Sequence, residues 1–373
     1  MAQSRGEVVL VTGFRGFVGR HVLKHLVKDK TVSEIRGLDK LPCDEGSKLE
    51  FQSHEDSTRL KFFQRDLIDI ESCREIVRDV DVVIHAAALV TYEFPPPKKS
   101  LSDNNVLATE NLIRLCLEEG ASRLIHCSTT EVSLQSCVRG GIIAVIIYSS
   151  ESKVGTPSNE DRLIFGEYAA SKLRAEKLVL DANGKALANG KGVLHTLSLR
   201  PPLLYGDGDE GFIFRFLDVA KKRGNTLPRL AGKGGKQQLA YVGNVAWAFL
   251  LAKDTLRLKP ESIAGLPVTI TDDTPVLDVL RFCQKITKDG KNRVKRSSWA
   301  IPIIISYIVG WMLEIVTNFN LGWPKKLPVR GETCYYEIEH YRIHGLGNTA
   351  RSDKSLDSPE LRSRLSGGRS HEP

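Results

Sequence analysis

The sequence lacks any apolar run of the ~20 residues a helix needs to cross a bilayer comfortably. It also lacks a Cys-x-x-Cys pair, an internal repeat and a strong excess of either charge. A mean hydropathy of −0.19 excludes a polytopic membrane protein. The seven cysteines, Cys43, Cys73, Cys116, Cys127, Cys137, Cys283 and Cys334, are scattered without zinc-like spacing. No metal site is therefore expected, and reduced thiols facing the cytosol are. Lys and Arg number 53 against 45 Asp and Glu, a net charge of +8. That excess is too mild to mark a nucleic-acid-binding protein, so no nucleic-acid partner is expected. Residues Met1–Glu7 are polar and show no secretory leader pattern. What remains is an ordinary globular composition, 41% hydrophobic and 26% charged, in 373 residues. That length suits one large α/β unit or two domains.

Short apolar runs alternate with helical patterns. Val8–Val11 ends in Thr12-Gly13, and apolar residues at helical spacing follow from Phe17 to Leu26. Further strands are expected at 35–39, 60–64, 81–85, 123–127 and 193–199, with helices at 71–77, 105–119 and 168–180. This order predicts a doubly wound parallel sheet of the Rossmann type, covered on both faces. Residues 1–200 form the expected dinucleotide-binding domain, and 201–350 a smaller substrate-binding region. Within the latter, 239–255 should pack back on the first domain, and 351–373 reads as a disordered tail. The apolar run 142–148 is open between strand and buried loop.

Gly13, Gly16 and Gly19 have the spacing G-x-x-G-x-x-G. Such a turn lets a pyrophosphate approach the backbone without a Cβ in the way, and the N-terminus of the helix that opens at Phe17 offers it N–H donors. Asp39 stands twenty residues beyond Gly19 at the end of the second strand. A carboxylate there accepts the adenine-ribose hydroxyls and repels a 2′-phosphate, which favours NAD. Lys40 and Arg15 leave some use of NADP open. Asp66 and Leu67, at the end of the third strand, are candidates to meet the adenine. Tyr168 and Lys172 lie four apart and so share one helix face. A tyrosine is a poor base near pH 7 unless a nearby cation stabilises the phenolate. His85 and His126 end strands, and without partnered ligand spacing they read as core histidines.

With Ser128-Thr129-Thr130, these features resemble the extended short-chain dehydrogenase/reductase family, and within it the 3β-hydroxysteroid dehydrogenase/isomerase group. The resemblance is carried by VTGFRGFVGRHV (11–22), VVIHAAALV (82–90), NVLATENL (105–112), IHCSTTEV (125–132), YAASK (168–172), LRPPLLYG (199–206) and YVGNVAWA (241–248). It implies Tyr168 as acid/base beside the bound NAD, Lys172 as the cation that tunes it while holding the nicotinamide ribose, and Thr129 or its neighbour Ser128 as the hydroxyl donor to the substrate oxygen. The family usually has serine where Thr129 stands. The resemblance also implies that Ala86 and Ala87 line NAD, that Asn105 braces the central helix and that Pro201 shapes the strand exit. The implied reaction is oxidation of a 3β-hydroxysteroid or sterol. A Δ5-to-Δ4 isomerisation, whose base no residue identifies, is left open. So are a decarboxylating sterol-4-carboxylate dehydrogenase, a sugar-nucleotide epimerase, a silent NAD-binding scaffold and homodimerisation.

Trp299–Leu313 is an uncharged stretch of about 15 residues, preceded by Lys285, Lys288, Lys291, Arg293, Lys295 and Arg296. It is too short to span comfortably. Interfacial aromatics beside a basic flank suit a shallow membrane anchor over 299–316, with lipid as partner. The expected location is the endoplasmic reticulum membrane, catalytic part cytosolic, with a mitochondrial membrane as the alternative.

Overall fold

The computed structural model describes residues 6–43, 59–93, 95–134, 160, 163–230, 238–288, 290 and 293–301. A seven-stranded sheet runs in the order β10-β6-β5-β4-β1-β2-β3. Its strands are β1 (Glu7–Thr12), β2 (Val32–Asp39), β3 (Leu60–Gln64), β4 (Val82–His85), β5 (Arg123–Cys127), β6 (His195–Arg200) and β10 (Pro267–Thr269). Every pairing in it is parallel. Strands β1, β4 and β5 have apolar centres and are almost entirely buried, their polar Glu7, Thr12, His85, Arg123 and His126 included, as a sheet covered on both faces requires. Winding reverses between β1 and β4, and ligands of such sheets bind at the carboxyl ends of the strands there.

On one face α1 (Phe17–Leu26) packs against α7 (Val242–Leu258), sharing a core of Val22, Leu23, Leu26, Val245 and Phe249. On the other lie α2 (Ile70–Val77), α4 (Ala108–Glu119) and α5 (Gly166–Asp181). α4 is preceded by a short helix α3 (Lys98–Leu101) and a π-helical stretch, Ser102–Leu107. Between β6 and β10 the chain forms β7 (Leu203–Tyr205), α6 (Ile213–Lys222), β8 (Thr226–Leu230) and β9 (Leu239–Tyr241). These elements, with α8 (Val279–Ile286), hold a separate small core of Tyr205, Ile213, Leu227, Leu239 and Phe282.

Three expectations change. The strand expected at 193–199 is β6, which starts at His195, and Val193 instead makes an isolated antiparallel bridge to Ala186. β10, with Pro267 at its start, adds a seventh strand from beyond residue 201. Trp299, where the shallow anchor is expected to begin, lies in a strand: Lys295–Ile301 forms β11, paired parallel with β8. Among the described residues no helix is long and apolar enough to cross a membrane, so the structure gives the anchor no support. The run 142–148, the anchor beyond Ile301 and the tail 351–373 lie outside the described residues. Described cysteines are free, and no described cluster has the makings of a metal site.

Candidate active site

The glycine turn leaves β1 at the switch point. Gly13 has φ +69°, and a Cβ on it would come within 2.6 Å of the Ala87 backbone. Only glycine meets both demands. A Cβ on Gly19 would collide with the Gly13 carbonyl oxygen and crowd Phe14, so Gly19 brings α1 close to the strand. Gly16 caps α1 without any side-chain acceptor. The first-turn amides, beginning at Phe17, thus lack a side-chain partner, and they suit a phosphate. Asp39 is fixed beside this turn: its Oδ2 accepts from Arg15 N at 3.1 Å and its Oδ1 from Leu41 N at 3.0 Å. Each carboxylate oxygen still has a lone pair to offer ribose hydroxyls. Lys40 donates to Asn104 Oδ1.

Across the turn, Ala86 N donates to the Thr12 carbonyl and Ala87 N to the Thr12 hydroxyl. Thr12 in turn meets His85 Nδ1 at 2.7 Å, and His85 Nε2 meets Thr109 Oγ1. His85 is therefore the satisfied core residue that its sequence context suggests. The loop beyond Ala87 is held by Asn105, which exchanges hydrogen bonds with both backbone groups of Leu89 and donates to Ser171. Asp66 is exposed and caps Ile68 N, whereas Leu67 is a core side chain whose carbonyl accepts from Asn111. These residues, glycine turn, carboxylate and alanine loop, form a cradle that fits a dinucleotide.

The second half of the site lies at the exit of β5. Its backbone is tied to the exit of β6, since Ser128 N donates to Leu199 O and Thr130 N to Pro201 O. Lys172 on α5 is buried, and its Nζ donates to Cys127 O at 2.7 Å. Burial pulls its ammonium below the ordinary lysine range. Tyr168, one turn earlier, is 7% exposed, with its ring edge-on to Tyr92 at 5.3 Å. Burial, then the Glu131 carboxylate, pushes its phenol well above the ordinary tyrosine range. Thr129 caps the short 3-10 helix Thr130–Ser133, its hydroxyl oxygen accepting from Glu131 N. That leaves the Thr129 hydroxyl proton free to donate elsewhere. Ser128 Oγ is buried with no hydrogen-bond partner among the described residues. An orphaned buried hydroxyl is costly unless a ligand meets it.

Two neighbours went unnoticed in the sequence. Tyr92 donates its hydroxyl to Glu131 Oε1 at 2.8 Å, while Glu131 Oε2 is buried and unpartnered. Burial raises the Glu131 carboxyl to about 7. Glu131 stands inside the stretch 125–132, but nothing in its spacing reveals a partner 39 residues earlier. His126 is more than a core residue, because its Nε2 lies 3.2 Å from Lys172 Nζ.

The family model described as the 3-beta hydroxysteroid dehydrogenase/isomerase family matches residues 10–303. Among solved structures, Pal from Bacillus thuringiensis is similar with a TM-score of 0.60 at 22% identity, covering 80% of this chain and 87% of that one. UDP-glucuronic acid 4-epimerase from Bacillus cereus, solved with UDP-glucuronic acid and NAD, gives 0.59 at 19%, with coverage of 80% and 87%. A double mutant of DesIV, a dTDP-glucose 4,6-dehydratase from Streptomyces venezuelae solved with NAD, gives 0.58 at 20%, with coverage of 78% and 84%. At these identities the likeness shows a shared fold.

Proposed function

Since the chain belongs to the 3-beta hydroxysteroid dehydrogenase/isomerase family, we propose that it oxidises the 3β-hydroxyl of a steroid or sterol with NAD. The observation that carries the reading is the pairing of buried Tyr168 and Lys172 on α5 with the unpartnered Ser128 hydroxyl at the exit of β5. Gly13, Gly16 and Gly19 would cradle the pyrophosphate, Asp39 the adenine ribose, and Ala86 and Ala87 the inner ribose side. Hydride acceptance is the chemistry that NAD supplies when bound.

The chain's own residues handle the proton. Tyr168 takes it from the 3β-hydroxyl as the carbonyl forms. Its phenol is too weakly acidic in the protein alone, so the role depends on positive charge gathered beside it. Lys172 contributes part of that charge. Ser128 and Thr129 orient the substrate oxygen by donating to it, and burial of Tyr168 and Lys172 keeps bulk water from competing.

A lipid-soluble substrate fits a lipid-facing enzyme. We place the protein on the endoplasmic reticulum membrane, or else a mitochondrial one, through the apolar stretch that follows Ser298 and its basic flank. Detergent-solubilised full chain should reduce NAD with pregnenolone or a 4-carboxysterol, and not with UDP-glucuronic acid. Turnover of the sugar nucleotide alone would replace this reading with an epimerase or sugar dehydrogenase.

A further inference from the structure

Lys172 belongs to a buried chain of polar groups reaching into the protein. Its Nζ meets His126 Nε2 at 3.2 Å, His126 Nδ1 meets Ser198 Oγ at 3.1 Å, and Ser198 Oγ donates to Glu176 Oε2 at 3.2 Å. Arg200 anchors the end by donating to both oxygens of Glu176. His126 and Ser198 are fully buried, and Lys172, Glu176 and Arg200 are 5% exposed or less. The donor logic fixes the direction. An ammonium only donates, so His126 Nε2 must accept and the ring proton must sit on Nδ1. Nδ1–H then donates to Ser198, whose hydroxyl proton points at a carboxylate already neutralised by Arg200.

Resting on the dehydrogenase reading, we propose that His126 is a positioning residue that orients and electrostatically supports the Lys172 ammonium through a relay ending at Glu176. Every hydrogen bond in the chain runs from cation to anion, so Lys172 feels a carboxylate that it does not touch. Cys127 O supplies the second acceptor and fixes the height of Nζ along the strand. The titratable and charged groups facing this relay are His85 on β4, Cys127 on β5, Tyr168 and Glu176 on α5, Arg200 on β6 and Glu131 at the β5 exit. Burial raises the Glu131 carboxyl among them to about 7. Burial holds His126 itself well below the ordinary histidine range, so it stays a neutral acceptor throughout.

The test has two independent readouts. In the 15N-histidine-labelled full chain without substrate, long-range proton–nitrogen NMR should show the Nδ1–H tautomer for His126, unchanged between pH 6 and 8. The resonance is assigned by its loss in His126→Phe. An Nε2–H tautomer, or an imidazolium, overturns the proposal whatever the protein's substrate is.

The second readout is the pH profile of kcat with NAD and pregnenolone. With less support for the ammonium, the Tyr168 phenolate is harder to form. The acid limb of His126→Phe should therefore move to higher pH by about one unit. His126→Gln, which keeps an acceptor for Lys172, should restore most of that shift. A folded Phe variant with lower stability but an unmoved limb reduces His126 to a core residue and overturns the proposal. Absence of turnover with both pregnenolone and a 4-carboxysterol in the wild type refutes the dehydrogenase reading and leaves the tautomer to decide the relay.

Discussion

At the scale of single residues, the site places weak acids in conflict with their surroundings. In the proposed reaction Tyr168 takes a proton from substrate, yet burial and nearby negative charge oppose the phenolate that must accept it. Tyr168→Phe should retain NAD binding, read by fluorescence quenching, while turnover falls at least ~10²-fold; near-normal turnover would remove Tyr168 from the chemistry. Glu131 offers a stability test. Its folded carboxyl keeps a proton to about 7, against an ordinary value of 4.5. The folded state therefore binds more protons between those values, and stability falls as pH rises through that window, by at most ~3 kcal/mol. Glu131→Gln keeps the acceptor for Tyr92 and removes the titration. Its urea midpoint should change less than that of the wild type between pH 4.5 and 7.5, and parallel losses would contradict the burial argument. Much of this site was legible beforehand. Gly13, Asp39, Tyr168 and Lys172 announce themselves by type and spacing. Tyr92, His126 and Glu131 do not, because their meaning lies in partners brought together by folding from 39 to 46 residues away.

Among the elements, the helical stretch before β5 carries an irregularity that the sequence conceals. Periodicity predicts a helix from Asn105, whereas the structure starts at Lys98 and passes through π-helical Ser102–Leu107. Asn105 in that stretch joins the Leu89 backbone to Ser171 on α5, so it binds the cofactor-side loop to the catalytic helix. Asn105→Ala strands the two half-buried backbone groups of Leu89 and the buried Ser171 hydroxyl, and should cost roughly 2–4 kcal/mol in urea unfolding. Its half-buried neighbour offers a control: Asn104→Ala, losing only surface hydrogen bonds to Lys40 and Ser100, should cost less than ~1 kcal/mol. Equal small losses would show that Asn105 holds nothing together. Strands β1 to β6 could be read from sequence because each carries apolar residues at its centre, buried in all but β3, where Leu60, Phe62 and Phe63 are half-buried. Strands β7 to β11 could not. β7, β9 and β10 have three residues each, too few to show a period, while Pro228 and Pro267 argue locally against strands. Tertiary pairing overrides those local signals.

For the whole molecule, the parallel sheet supplies a rigid floor, the two exits of β1 and β5 supply the two halves of the site, and the segment after β11 bears on where the enzyme works. If that segment anchors the protein, salt washing should leave the chain on membranes and detergent should release it. Each fully buried side chain of Ile304, Ile305 and Ile308 is worth roughly 1.5–3 kcal/mol, more than the ~1 kcal/mol that one basic residue gains at an anionic surface. Release by salt alone would leave the anchor without a basis while leaving the chemistry untouched. The central claim is that hydride leaves C3 of a 3β-hydroxysteroid, with Tyr168 taking the proton. Its most direct measurement uses pregnenolone deuterated at C3 on the α face, NAD and the purified full chain, with mass spectrometry of the reduced cofactor. The account predicts NADH carrying one deuterium, with label transfer falling at least ~10²-fold in Tyr168→Phe. Unlabelled NADH, or no reduction of NAD by the steroid, would contradict it.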